Sequence, residues 1–472
     1  MRLLALLVLL CLPLAVWSAQ QSPPVPPRDT TVFVRVHVLP MDRERVLRNQ
    51  TVLVQDGIVV AMAPSLPVPD GARVVDGRGE AWLLPGLADM HNHLDTRQDL
   101  AVQLGLGITS TLHMGEARNS FVGRTRAAVA AGEIAGPRVF AALAVDGSPR
   151  YGHLVVADAE DARATTRVAR ANGYDFIKVY NNLSAEAFSA LAREARVQDL
   201  PLVGHGVTAV GLQAQLEAGQ PLVAHAEEFF YTFFPQPPEH DANAAPDAGA
   251  IDDAIALLRK HGTAVVADLV TYETIAAQWG RPDVVDGFLR MPESRYLPPA
   301  FRASWPMQGY AKKTGSLERR VAFLRRFVKA MDAAGVPLLS GTDAQDIPGL
   351  VAGFALHRNL AALVEAGLRP YAALTTATSA PGAFIGRHKP GFPAFGVVRE
   401  GARADLLLVP TNPLEDMATL QAPLGVMADG RWYPREDLAA RMEEVRSAYA
   451  AAGDSARAAA QAPTARPSSD SP

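Results

Sequence analysis

The chain has 472 residues, 49% of them hydrophobic, enough for a large core and for a catalytic-sized domain plus a smaller one. Its 45 basic residues stand against 49 acidic ones, a net charge of −4 with only short basic runs, which removes any electrostatic case for nucleic-acid binding. Cys11 is the only cysteine, so the rest of the chain has no disulfide framework, no thiolate nucleophile and no thiolate metal site.

Residues 1–19 read as a signal peptide. Met1-Arg2 is a minimal positive start, Leu3 to Val16 is an apolar run too short to span a membrane comfortably, and Ser18-Ala19 are small residues suited to cleavage. The expectation is an exported protein, periplasmic or secreted, with no stable membrane insertion after cleavage; an uncleaved anchor is the alternative. Residues 20–30 are a Pro-rich linker.

Residues 31–82 alternate apolar and polar positions between Gly and Asp turns, as short antiparallel strands do. A similar piece returns at 391–435, so the two ends are expected to build one small composite β-sandwich. Residues 83–390 differ. Candidate strands at 83–90, 108–113, 138–145, 174–180, 201–204, 221–224, 263–270 and 336–341 alternate with Ala-rich helical stretches. The fold class is α/β, a (β/α)8 TIM-type barrel, with a doubly wound sheet as the alternative. Segments 229–250 and 279–316 interrupt the alternation where loops usually shape a substrate pocket. Residues 436–472 read as a helix followed, from about 453, by a disordered tail.

The chemistry sits at the strand ends. His91 and His93 lie just past the first buried strand, and residues i and i+2 of a strand share a face. Lys178 lies in the fourth strand, His205 and His225 each follow a PLV run, and Asp343 follows the eighth strand. Any one of these alone is more often an ordinary polar residue. Barrel strand ends converge on one face, so the set reads as a metal site. Tyr151, His153, Tyr180, Tyr231 and Tyr272 lie at or near strand ends as substrate-binding candidates, with packing an equal alternative. His113, Arg97 and Arg150 are weaker; His37, His240, His261 and His388 read as structural or exposed, and His357 as a residue behind the site.

PGLADMHNHL, YDFIKVYNNLS, the two single-histidine strand ends and SGTDA together resemble the amidohydrolase superfamily over about 30–440. The resemblance is closest to the branch of imidazolonepropionase-like enzymes and metal-dependent Xaa-Pro dipeptidases. It implies two divalent metal ions, best matched by Zn2+ for imidazole and oxygen donors. His91, His93 and Asp343 would hold one, His205 and His225 the other, and Lys178 would bridge them as N6-carboxylysine. It further implies a small-molecule substrate with an amide-type C–N bond (a dipeptide, an N-acyl amino acid or a cyclic amide), attacked by a metal-bridging hydroxide, with Asp343 as catalytic proton shuttle. Relatives that assemble leave room for a homo-oligomer. Val179-Tyr180-Asn181-Asn182 departs from the Gly-containing loop of the dipeptidases, which counts against dipeptide specificity. An esterase, lactonase or phosphotriesterase is the alternative enzyme, and a non-catalytic binding relative the alternative class.

Overall fold

The computed structural model describes residues 23–94, 96–235 and 241–461. The expected signal peptide, the start of the linker, His240 and the end of the tail lie outside the described residues.

Five strands open the chain: β1 (Thr31–Val38), β2 (Leu47–Gln55), β3 (Ile58–Ala63), β4 (Arg73–Asp76) and β5 (Trp82–Pro85). The barrel strands follow: β6 (Leu87–Asn92), β7 (Ile108–His113), β8 (Arg138–Asp146), the short β9 (Leu154–Val155), β10 (Phe176–Val179), β11 (Leu202–Gly204), β12 (Leu222–Val223), β13 (Ala264–Val266) and β14 (Leu338–Leu339). Three strands close the fold: β15 (Leu406–Val409), β16 (Gly425–Ala428) and β17 (Arg431–Pro434).

The barrel is parallel, in the order β6-β7-β8-β10-β11-β12-β13-β14, with β9 beside β8. Its seam closes through Met90 N–H to Ser340 O at 2.8 Å, Thr342 N–H to His91 O at 2.9 Å, and a parallel bridge between Asn92 and Ala344. Its interior is filled, not hollow: Met90, Leu112, Phe140, Phe176, Val203, Leu222, Val266 and Leu339 form one buried cluster. The outer helices follow from their caps and spacing. Asp158 accepts from the N–H groups of Glu160 and Asp161 to start Ala159–Ala171, and Ser184 accepts from Ala187 N–H to start Ala185–Val197. In the second helix Ala187, Leu191 and Ala195 recur at i, i+4, i+8 and are buried.

The two ends of the chain share one mixed sheet, β17-β16-β15-β5-β1-β2-β3, with β4 pairing β1. Not all of its pairs are antiparallel: β1 runs parallel to β4 and β5. The expected strand 83–90 divides at Gly86. Before it, Leu84 pairs antiparallel with Leu407 in the small sheet; after it, Leu87 pairs parallel with Ile108 in the barrel. A Cβ on Gly86 would stand 2.3 Å from Thr109 Oγ1, so only glycine fits where the chain passes between sheets. Helix Arg435–Gln461 extends through the start of the stretch read as a tail. Among the described residues no helix is long and apolar enough to cross a membrane.

Candidate metal centre

Strand alternation aims Lys178 into the barrel. Phe176 joins the interior cluster while Ile177 and Val179 pack outward against helices, so Lys178 faces inward at the carboxyl end of β10. It is 1% exposed, with Nζ 3.5 Å from His91 Nε2. No carboxylate lies within ion-pair reach of it among the described residues.

His91 lies near the end of β6, and His93 just beyond it. Both aim Nε2 at one oxygen, Oδ1 of Asp343, at 3.1 and 2.9 Å. Asp343 follows β14 in the left-handed region, φ 52°, with its N–H donated to His91 O. A non-glycine residue held there signals backbone strain spent on placing a side chain. His225 after β12 lies with its ring 4.3 Å from that of His91, and the His205 ring after β11 is 5.0 Å from His225. The six residues read from the sequence thus converge on the same end of the barrel.

The other nitrogen of each imidazole is already committed. His91 Nδ1–H donates to Ala224 O at 3.1 Å, His205 Nδ1–H to Glu228 Oε1 at 2.6 Å, and His225 Nδ1–H to Asp268 Oδ2 at 2.6 Å. His93 Nδ1 lies 2.6 Å from Glu116 Oε2. Each Nδ1 is thereby tied back, so that Nε2 is the nitrogen a metal would take, the arrangement metal-bound histidines need. His91, His93 and Asp343 bring one donor atom each within 4.8 Å of one another, as do His91, His225 and Asp268. Nitrogen and oxygen donors with outward nitrogens tied back, around a buried lysine without a counter-ion, fit a divalent metal centre.

The charges are uneven. Burial alone raises the Asp343 carboxyl, but His91 and His225 reverse this and hold it well below the usual range. Burial lowers His225, yet Asp268 and Glu227 push it up to about 10. Burial lowers His205 to about 4 despite Glu228 beside it. Burial raises Asp89 to about 7, where Thr342 Oγ–H donates to its Oδ2 at 2.9 Å and ties β6 to the Asp343 loop.

The substrate candidates separate into two groups. Tyr151, His153 and Tyr180 pack together beside the centre: Tyr180 lies 4.8 Å from Tyr151, 4.5 Å from His153 and 4.0 Å from His205, ring to ring. Tyr231 sits on the helix Glu228–Thr232, and Tyr272 is buried on the helix Leu269–Gln278, 6.0 Å from Phe230. Segment 279–316 is not loose chain. It folds into short helices whose Trp305 is fully buried and donates Nε1–H to Gln345 O at 3.2 Å, two residues past Asp343. His357 Nε2–H donates to Leu106 O, 2.9 Å away. Sequence reasoning missed Glu116, Glu228, Asp268 and Asp89. Glu228 in VAHAEE and Asp268 at the end of β13 were visible only as acidic residues near strand ends.

Asp268 carries a prediction. Replacing it with Ala releases the Nδ1–H of His225, and metal affinity is expected to fall about 10- to 100-fold, the usual cost of losing such a partner. Chelator competition measures this; unchanged affinity would refute the orienting role.

The model of the amidohydrolase family matches residues 82–433. An imidazolonepropionase of Salinispora arenicola (strain CNS-205) is 37% identical over 81 residues, 17% of this chain. That match spans only 20% of the curated relative's own length. The solved structure of a bottromycin amidohydrolase superposes with TM-score 0.67 at 27% identity, over 90% of this chain and 91% of that one. A Xaa-Pro dipeptidase solved with methionine in its active site shares the fold, with TM-score 0.61 at 20% identity over 86% and 100% of the two chains. With the barrel, the composite sheet and the histidine cluster in place, the chain belongs to the amidohydrolase family, metal-dependent hydrolases that act on carbon–nitrogen bonds.

Proposed function

We propose that the protein is an exported hydrolase with a two-metal centre that cleaves an amide-type C–N bond in a small molecule: a dipeptide, an N-acyl amino acid or a cyclic amide. The observation that carries this reading is the convergence of His91 Nε2 and His93 Nε2 on Asp343, with Lys178, His225 and His205 alongside. His91, His93 and Asp343 would hold one zinc ion, and His205 and His225 the other. Lys178, as a carbamate, would bridge them; an ammonium buried there without a carboxylate is costly, and carboxylation replaces it with an anion. When bound, the metal pair supplies a water of lowered pKa and polarises the substrate carbonyl.

The chain's own groups do the rest. Asp343, held anionic, takes a proton from the attacking water at Oδ2 and returns it to the leaving nitrogen. Tyr180, packed on His205, forms one wall with Tyr151 and His153. Asn181 Nδ2–H donates to Gly206 O at 2.9 Å and Asn182 Nδ2–H to Asp146 Oδ2 at 2.7 Å, which fixes the loop that carries that wall. Tyr231 and Tyr272 lie on the helices Glu228–Thr232 and Leu269–Gln278, within the electrostatic reach of Glu227.

The test is turnover by the zinc-loaded protein on a panel of dipeptides, N-acyl amino acids, lactams and matched esters. Amide or lactam hydrolysis is expected. A protein that retains two metals per chain but is inert on every amide and lactam overturns the reading, and higher kcat/KM on matched esters moves it to an esterase or lactonase. Export is checked on secreted material by N-terminal sequencing, expected to begin near Gln20.

A further inference from the structure

One carboxylate joins two parts of the site that the sequence gives no reason to connect. Glu116 lies three residues beyond β7. Its Oε2 is 2.6 Å from His93 Nδ1 and its Oε1 3.0 Å from His153 Nδ1. Gly115 O lies 3.4 Å from the same His93 nitrogen as a second acceptor. His153 is nearly fully buried; apart from the close contact of Nδ1 with Glu116, neither of its ring nitrogens has a hydrogen bond among the described residues. Its ring meets Tyr180, which in turn meets His205. A continuous chain of contacts therefore runs from His93 on one side of the centre, through Glu116, His153 and Tyr180, to His205 on the other.

The backbone shows what this placement costs. Glu116 has φ 65°, in the left-handed region that suits glycine. Strain of this kind persists where the surroundings need the side chain in one place. The side chain is one-third exposed, so burial of the residue itself does not account for it.

We propose that Glu116 is a shared positioning residue. Its carboxylate accepts Nδ1–H from both His93 and His153, so that one group sets the tautomer of a metal-holding imidazole and of a substrate-facing one. Through Oε2 it leaves His93 Nε2 with its lone pair toward the metal. Through Oε1 it leaves His153 Nε2 as an acceptor toward the pocket. Metal retention and substrate binding thus depend on one side chain. The inference rests on the metal-centre reading above.

The experiment uses Glu116→Gln and Glu116→Gly in the full mature protein. Gln keeps the shape but offers one acceptor oxygen. Gly removes the carboxylate and relieves the left-handed backbone. Zinc affinity by chelator competition is expected to fall about 10-fold or more in both. In 15N spectra of the zinc-loaded protein, His153 is expected to leave the Nδ1–H form. The thermal midpoint of metal-free Glu116→Gly is expected to equal or exceed that of the parent, because glycine suits the backbone there. If it falls together with zinc affinity, Glu116 is merely structural and the proposal fails. Wild-type zinc affinity and unchanged 15N signals in both variants also overturn it. On whichever panel compound is hydrolysed, Glu116→Gln should raise KM more than it lowers kcat, and this increase should vanish when His153→Ala is already present. An undiminished increase in that background overturns the shared role. If no compound is hydrolysed, the failure belongs to the proposed function, and the zinc and 15N measurements still decide on Glu116.

Discussion

Lys178→Ala is expected to strip the protein of most of its bound metal and to lower kcat/KM by roughly 10³-fold or more, with partial recovery in millimolar acetate or propionate. The reasoning starts from burial. Lys178 is 1% exposed and, among the described residues, has only His91 Nε2 within hydrogen-bond reach of Nζ. In an apolar core an uncompensated ammonium is one of the most expensive groups a fold can keep. A lysine retained there therefore has a purpose other than packing. A bridging carbamate touches both ions, so its loss should exceed the roughly 10- to 100-fold cost of losing an outer partner such as Asp268. Small carboxylates can enter the space left by the side chain and supply the missing oxygens. Metal content by elemental analysis, and rate with and without added carboxylate, check the expectation. Wild-type metal content and rate in Lys178→Ala would remove the carbamate from the proposal.

The second large effect is expected at Asp343→Asn, a fall in kcat of about 10²- to 10⁴-fold, the range for a lost proton-transfer group. The amide has nearly the shape of the carboxylate, and its oxygen can still face His91 and His93, which lie 3.1 and 2.9 Å from Asp343 Oδ1. What disappears is the basic oxygen. Loss of a step made only in the transition state lowers kcat and kcat/KM together and leaves KM nearly alone. Steady-state kinetics at matched metal content make the distinction. A rate within a few-fold of the parent would mean that the proton travels by another route.

Much of the site was legible because its residues sit at positions the barrel dictates. His91 lies near the end of the first barrel strand, Asp343 follows the last, and Lys178 alternates with Ile177 and Val179. Period and strand order are written in the local sequence, and the type of donor is rare enough to stand out. Glu116, Glu228 and Asp268 were not legible for the opposite reason. Carboxylates are common, and nothing local says that Glu228 Oε1 will meet His205 Nδ1 across 23 residues, or Asp268 Oδ2 the His225 ring across 43. The strand read as 83–90 failed at Gly86 because an apolar run looks the same whichever sheet it joins. Tyr231 and Tyr272 were placed at strand ends, but the strands before them are short, and both fall on the helices that follow.

That passage at Gly86 bears on the order in which the molecule can be built. β5 is held by β15, whose residues are synthesised last among the sheet partners, while β6 begins immediately beyond the glycine and ends on His91. The strand that carries the first pair of histidines is therefore anchored at its root by the far end of the chain. Contacts between residues so distant in sequence are slow to form, and an emerging chain cannot make them until it is nearly complete. Maturation of the metal centre should thus be a late event. A nascent chain lacking residues 406–434 should collapse around its local β/α units and stay open to unfolding. The contact between the two ends of the chain thus acts as a timer for the centre, set only once residues 406–409 have emerged.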